Sequence, residues 1–397
     1  PTAAFGTIFN DSDFTTIDEL WYLDLKYDGQ MVESFNLLAR VYYDGYYYRG
    51  SYPFDLSGSG GPPRLLNKDV ANGALWGSEV KLTTEVIPRN KVTLGAELNH
   101  DFQQDQKNFD VAVNLDDRRN TFRLGLYAQD ELKIIDSLVL SAGVRYDYYE
   151  PSKGTINPRL GLIYSPFEKT AIKALFGDAF RAPNAYELHY SDGGTSQKPN
   201  PDLDPETIRS YELVVEQYVG NSLRFSASAY HYEINDLISL ETDPSDGLLQ
   251  FRNVEEVQAD GLELEAAGKW ANGLQARASY ALQHAEDKET NRTLTNSPRH
   301  LIKLNLIIPL LAEKLFAGIE GQYTSRRKAV SGNFAEDHFL LNFTIFGANL
   351  LEGLDVSASV HNVLDARYGD PGSEEHVQET IEQDGRTFSF QLTYRFW

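Results

Sequence analysis

The chain of 397 residues carries 36 Lys and Arg against 58 Asp and Glu. The formal net charge of −22 argues against nucleic acid as a partner, because phosphates demand basic side chains. With 30 Gly, 23 Tyr and 21 Phe but one Met and no Cys, the composition fits an oxidising compartment and an aromatic-rich fold.

The N-terminus reads Pro1-Thr2-Ala3-Ala4-Phe5 and shows no charged segment followed by an apolar one. It implies that an export signal has been removed, or that the chain is the C-terminal part of something longer. No run of eighteen apolar residues occurs, so no transmembrane helix is predicted. Membrane strands escape that test, because their polar faces dilute the hydropathy.

Segments of alternating polarity follow one another along the chain. Strands are predicted at 18–28, 34–50, 74–86, 91–103, 119–134, 138–150, 157–165, 170–180, 206–219, 223–239, 255–270, 274–286, 298–309, 315–329, 338–350, 354–368 and 386–397. These are about seventeen, or eighteen if Phe5–Phe9 is one more, and most exceed the five or six residues usual in soluble sheets. The second segment ends in Tyr42, Tyr43, Tyr46, Tyr47 and Tyr48, which suit either an interfacial aromatic girdle or a ligand platform. In 119–134, Phe122, Leu124, Leu126 and Ala128 alternate with Arg123, Gly125, Tyr127 and Gln129. In 138–150, Leu138, Leu140, Ala142, Val144, Tyr146 and Tyr148 oppose Ser141, Arg145 and Asp147. Charges at membrane depth are tolerated on the side that faces a wet lumen. The last segment puts Phe388, Phe390, Leu392, Tyr394 and Phe396 on one face and Thr387, Ser389, Gln391, Thr393 and Arg395 on the other. It is long enough to cross a bilayer as a tilted strand.

Connections alternate in length. Short turns are predicted at 29–30, 87–90, 135–137, 166–169, 220–222, 272–273, 310–314 and 351–353. Long ones are predicted at 51–73, 104–118, 151–156, 181–205, 240–254, 287–297, 330–337 and 369–385. Every long connection falls at the same end, as in outer-membrane barrels with short periplasmic turns and long external loops. The pattern predicts an all-β, transmembrane, antiparallel up-and-down β-barrel occupying residues 1–397, in a Gram-negative outer membrane. Outer-membrane lipid and lipopolysaccharide are its expected surroundings. The acidity reads either as a solvated surface or as loops that gather cations or calcium-bridged lipopolysaccharide.

The order of motifs resembles the TonB-dependent outer-membrane receptors, over their β-barrel domain and most clearly from Asn157 to Trp397. The fragments are N-P-R-L-G-L-I-Y-S-P from Asn157, F-R-A-P-N-A-Y-E-L from Phe180 and N-P-D-L-D-P-E from Asn200. Y-E-L at Tyr211, Y-H-Y-E-I-N-D-L-I from Tyr230, F-R-N-V from Phe251 and G-L-E-L-E from Gly261 follow. S-P-R-H from Ser297, H-N-V-L-D-A-R-Y from His361 and the terminal G-R-T-F-S-F-Q-L-T-Y-R-F-W complete the series. The resemblance implies a 22-strand barrel, an energy-coupling box and a plug domain. Neither box nor plug is visible, so the chain reads as the C-terminal portion of such a receptor. Its open edges must meet missing strands, or the chain must close as a smaller barrel of sixteen to eighteen strands.

The implied function is energy-coupled uptake of a scarce, large nutrient such as a ferric siderophore, cobalamin or haem. The implied partners are that small-molecule or metal-chelate ligand and an inner-membrane energising complex reached through a plug. The alternatives are a passive porin-like channel and, more remotely, an enzyme on the barrel rim. No enzyme is expected, because no nucleophile–base arrangement or G-x-S-x-G occurs. No cofactor is expected either.

Candidate ligand residues gather in one long loop: Arg181, Tyr186, Glu187, His189 and Tyr190. His189 is the candidate contact for a metal chelate. The structural alternative is that Pro183 fixes a strand end and Arg181 pairs with acidic partners or a plug. His284, His300, His338 and His376 read as rim or lumen residues, and no His set has ligand spacing. The loop 369–385, with Asp370, Glu374, Glu375, Glu379, Glu382 and Asp384, is either a solvated loop or a calcium site. Glu263 and Glu265 share a face and read as lumen lining. Acidic loops disfavour highly anionic ligands, unless local arginines override the net charge.

Overall fold

A computed structural model describes residues 6–150, 153–254, 256–288, 290–311, 314–374 and 376–396. The strands in chain order are β1 (Thr15–Val32), β2 (Phe35–Phe54), β3 (Leu65–Thr84), β4 (Asn90–Phe109), β5 (Val113–Ile135), β6 (Leu138–Tyr149), β7 (Lys153–Phe167) and β8 (Thr170–Arg181). The short helix α1 (Ala185–His189) precedes β9 (Glu206–Val219), β10 (Leu223–Asn235), β11 (Leu237–Thr242), β12 (Leu249–Val254), β13 (Val257–Lys269), β14 (Gln275–Asp287), β15 (Arg292–Thr293) and β16 (His300–Leu311). Then come β17 (Leu315–Thr324), β18 (Arg327–Lys328), β19 (Phe334–Ala335), β20 (His338–Leu351), β21 (Leu354–His361), β22 (Gly369–Pro371), β23 (Thr380–Glu382) and β24 (Thr387–Tyr394). Among the described residues no helix is long and apolar enough to cross a membrane, which says nothing of a β-barrel.

Among the described residues seventeen long strands form one antiparallel sheet in which each pairs with its neighbour in sequence, with the two-residue β15 beside β14. The pairs β11–β12, β18–β19 and β22–β23 stand apart in the loops. Within the described residues β1 pairs only with β2, and β24 only with β21. Seventeen being odd, these two edges run in the same direction and cannot continue the antiparallel ladder with each other.

The two-residue rhythm sorts side chains by solvent. Outward-facing Leu126, Val144, Leu160 and Leu213 are 46%, 47%, 50% and 52% exposed, as a surface made for hydrocarbon must be in water. The other face is polar and cross-linked. Arg145 donates to Asp147 on its own strand (2.7 Å) and to Glu97 on β4 (3.0 Å), while the Tyr127 hydroxyl donates to Glu79 on β3 (2.8 Å). Arg277 donates to Glu265 at 2.5 Å, so that carboxylate is an ion-pair partner as well as lining. Gly95 and Gly125 make room for these long side chains. A Cβ would fall 2.0 Å from the Tyr127 ring at Gly95 and 2.2 Å from the Arg145 guanidinium at Gly125.

The ladder departs from the predicted boundaries mainly at the outer end. β2 runs to Phe54 and β3 starts at Leu65, so the predicted loop 51–73 shrinks to 55–64. The predicted loop 104–118 is mostly strand, with only residues 110–112 between β4 and β5. Above the bilayer both faces of these strands are polar and the apolar rhythm fades, although backbone pairing continues. The turn predicted at 29–30 lies inside β1, and the chain reverses at Glu33-Ser34, where Ser34 takes a φ of 71°. The strand predicted over 223–239 breaks at Asp236 (φ 56°), and those over 315–329 and 354–368 end at Thr324 and His361. Phe5 lies outside the described residues, and Thr7 forms an isolated bridge to Phe54 and belongs to no named strand.

Candidate functional site at the outer mouth

The segment 182–205 between β8 and β9 folds back over the inner face of β3 to β6. Its first anchor is Arg181, whose guanidinium donates to Glu206 (2.6 and 2.9 Å) and to both oxygens of Glu187 (2.9 Å each). Asn184 caps α1 in a reciprocal box with Glu187, which satisfies backbone donors at the start of the helix. Gln106 on β4 donates to the Ala185 carbonyl (2.9 Å), and the Tyr190 hydroxyl donates to both oxygens of Asp69 on β3 (3.0 and 2.9 Å). The Asp192 carboxylate collects the backbone N–H groups of Thr195, Ser196 and Gln197 at 2.8–3.1 Å.

The β11–β12 hairpin packs onto this segment. Leu249 and Lys198 donate backbone bonds to the carbonyls of Ser196 and Leu249 at 2.8 and 3.0 Å, and the Lys198 ammonium reaches Asp243 (2.5 Å) and Asp246 (2.7 Å). Beneath them Leu188, Leu203 and Ile238 are buried with Phe251 against them, a small hydrophobic core belonging to the loops alone.

Between this cap and the outer ends of β2, β3 and β4 lies a cavity of about 540 Å³. Tyr46, Tyr48, Tyr52, Asn67, Asp69, Gln106, Tyr186, Tyr190 and Gln197 line it. The Tyr186 and Tyr190 rings lie 4.6 Å apart, and Tyr186 donates to Gln197 at 2.9 Å. Burial raises the ionisation points of both hydroxyls, and the Asp69 charge adds to it, so they stay neutral donors. A second cavity of about 470 Å³ adjoins it, lined by Arg118, Arg119, Tyr149, Glu150 and His189. Burial, helped by the Arg119 charge, lowers the pKa of His189.

The structure therefore divides the five predicted ligand residues. Tyr186 and Tyr190 line the main cavity, Arg181 and Glu187 form the lock that holds their helix, and His189 faces the neighbouring cavity. Asp69, Asn67, Gln106 and Gln197 carried no sequence signal, because register and loop packing alone bring them together. The tyrosine run splits by parity: Tyr42, Tyr46 and Tyr48 share the inner face with Arg40, whereas Tyr43 packs near Phe102 on the outer one, 6.2 Å between centroids.

Among the described residues no three His, Asp or Glu side chains are grouped to hold a metal ion. In the loop 369–385, Asp370 pairs with Arg327 (2.5 Å) and Glu379 bonds Ser331, while Glu375 lies outside the described residues. His300 bonds Tyr280 (2.9 Å), His284 bonds Glu286 (2.9 Å), His376 bonds Ser373 (3.0 Å), and the His338 ring meets that of Tyr368 at 4.3 Å, tilted by 30°.

An antiparallel sheet with a greasy outer face, a charged inner face and a ligand-sized cavity under folded external loops defines an outer-membrane β-barrel. The family model "TonB dependent receptor-like, beta-barrel" matches residues 2–363, and the chain belongs to that family. It is 24% identical over 333 residues to the iron-regulated outer membrane virulence protein of Vibrio cholerae, covering 78% of this chain and 50% of that protein. It is 26% identical over 262 residues to the vitamin B12 transporter BtuB of the same species, covering 64% of this chain and 39% of the transporter. The chain thus spans half or less of the length of these relatives. A crystal structure of a ferric enterobactin receptor (PfeA) mutant from Pseudomonas aeruginosa shares the fold, with a TM-score of 0.77, 19% identity, and coverage of 96% of this chain and 62% of that one. The chain is a barrel of the Gram-negative outer membrane.

Proposed function

We propose that residues 1–397 form the barrel domain of a receptor for energy-coupled uptake of a scarce, large nutrient, a ferric siderophore, cobalamin, haem or similar chelate. The observation that carries this is the tyrosine-lined cavity of about 540 Å³ at the outer mouth, directly above a polar inner face. The ligand docks there against Tyr186 and Tyr190, and the Arg181–Glu187–Glu206 lock holds the helix that presents them. Release inward requires an inner-membrane energising complex acting through a plug. The two named relatives, an iron-regulated protein and a vitamin B12 transporter, support this class and argue against a passive channel.

The test is fluorescence titration of the purified protein with a ferric tris-catecholate, a ferric trihydroxamate, cyanocobalamin and haemin, paired with conductance in planar bilayers. Saturable binding of one probe, weakened by Tyr190→Ala, is expected. A steady, ligand-independent conductance without saturable binding would overturn the proposal in favour of a porin-like channel.

A further inference from the structure

The outer cavity has an unusual charge for a place that holds metal chelates. We propose that it selects an ammonium-bearing, oxygen-rich chelate and rejects multiply anionic ones. This rests on the reading of the cavity as the ligand site and adds the chemical class of the ligand.

The first observation is a carboxylate without a cation. Elsewhere on the inner face Glu97, Asp101 and Glu265 each meet an arginine. Asp69 does not. It is half-buried, and among the described residues it receives neutral donors, the Tyr190 hydroxyl and the Asn108 amide (2.7 Å), and pairs with no Lys or Arg. Its negative charge is thus left for a ligand to balance.

The second is the aromatic wall. Five tyrosines surround that carboxylate, and the electron-rich faces of phenol rings attract cations, most strongly where water is thinned out. Among the described residues Lys107 is the only basic one in the lining, and the strand register turns it to the outer face, where it lies over the Phe109 ring at 5.5 Å. Arg118 and Arg119 belong to the adjoining cavity and are already paired with Asp116 (3.3 Å) and Asp117 (2.7 Å). Among the described residues a trianionic chelate would meet a carboxylate and no free cation here.

The third is an unmet donor. Gln197 is 1% exposed and lines the cavity, and its amide nitrogen has no partner among the described residues. A buried donor left open costs free energy that an acceptor oxygen restores. Carbonyl and hydroxamate oxygens supply such an acceptor beside an ammonium group.

The test uses three ferric chelates on the purified protein: a linear trihydroxamate with one free ammonium group, the same chelate N-acetylated, and a tris-catecholate trianion. The ammonium form is expected to bind about tenfold more tightly than its acetylated twin, with the trianion weakest. Asp69→Asn should shrink that ratio to about twofold or less, and high salt should shrink it in the unaltered protein, a readout that needs no variant to fold. Equal affinity of the twins, preference for the trianion, or no binding of the ammonium form at millimolar concentration each overturns the inference. If Tyr186→Ala and Tyr190→Ala weaken all three chelates while charge makes no difference, only the charge selection fails. If neither variant changes any binding, the cavity is not the ligand site and both readings fall.

Discussion

Two loop clusters crown this barrel, and they are built differently. The cap of 182–205 with β11–β12 has its own apolar core of Leu188, Leu203, Ile238 and Phe251, and polar locks tie its rim. The cluster of 325–337 with 362–386 is held by polar ties, chiefly Arg327–Asp370, Ser331–Glu379 and the His338–Tyr368 ring contact. Apolar burial survives the loss of any single polar partner, whereas a tie between a buried Arg327 and a half-exposed Asp370 depends on both groups keeping their geometry. The first cluster can therefore hold a shaped cavity above the lumen, and the second is suited to yield.

That contrast is breakable in order of size. Leu203→Ala removes a buried side chain from the loop core and should cost about 2–3 kcal/mol of local stability, since cavities of this kind relax only in part. Hydrogen exchange should then speed up by roughly 50–100-fold across 184–205 and stay unchanged across 369–382. Equal acceleration in both clusters would show that they are one cooperative unit. Arg181→Ala strands Glu187 and Glu206. With the guanidinium 43% exposed, the expected cost is about 1–2 kcal/mol, read as faster exchange in α1 and weaker ligand binding. Arg181→Lys should recover only part of it, because an ammonium cannot make the forked contact. Arg327→Ala removes a buried side chain, but its partner Asp370 is 42% exposed and regains water, so it should cost about 1–2 kcal/mol and raise proteolysis only in the second cluster, with cavity binding untouched.

The smallest effect is a pH dependence. The Lys198 ammonium, then the Ser245 donors and Arg252, hold the Asp243 carboxyl below the usual range. A depressed pKa means that the contribution is complete above roughly pH 4 and lost as pH falls below it. Exchange at Lys198 and Leu249 should therefore be flat from pH 7 to 5 after correction for intrinsic rates, and rise only in acid. A rise already near pH 6 would assign the latch to another group.

The legibility of the chain follows the environment of each residue. Strands such as β6 and β8 were readable to within two residues, because hydrocarbon on one side and water on the other enforce strict alternation. The outer ends of β2 to β5 were not, because outside the bilayer both faces are wet and a paired strand looks like a polar loop. Tyr186 and Tyr190 were found from a local motif in one loop. Asp69 and Gln197 were not, being 121 and 7 positions from Tyr190 with no shared pattern, and each acquires its place from register or loop packing.

From the amino-acid order alone come the barrel class, the direction in which each strand's side chains point, and the end of the molecule that carries the loops. All are consequences of a two-residue period that a bilayer imposes locally. Only the folded structure decided which tyrosines turn inward, that Arg181 is a latch, and that no Lys or Arg among the described residues pairs with Asp69. Those depend on strands and loops distant in sequence meeting at particular heights, and no local periodicity encodes such meetings.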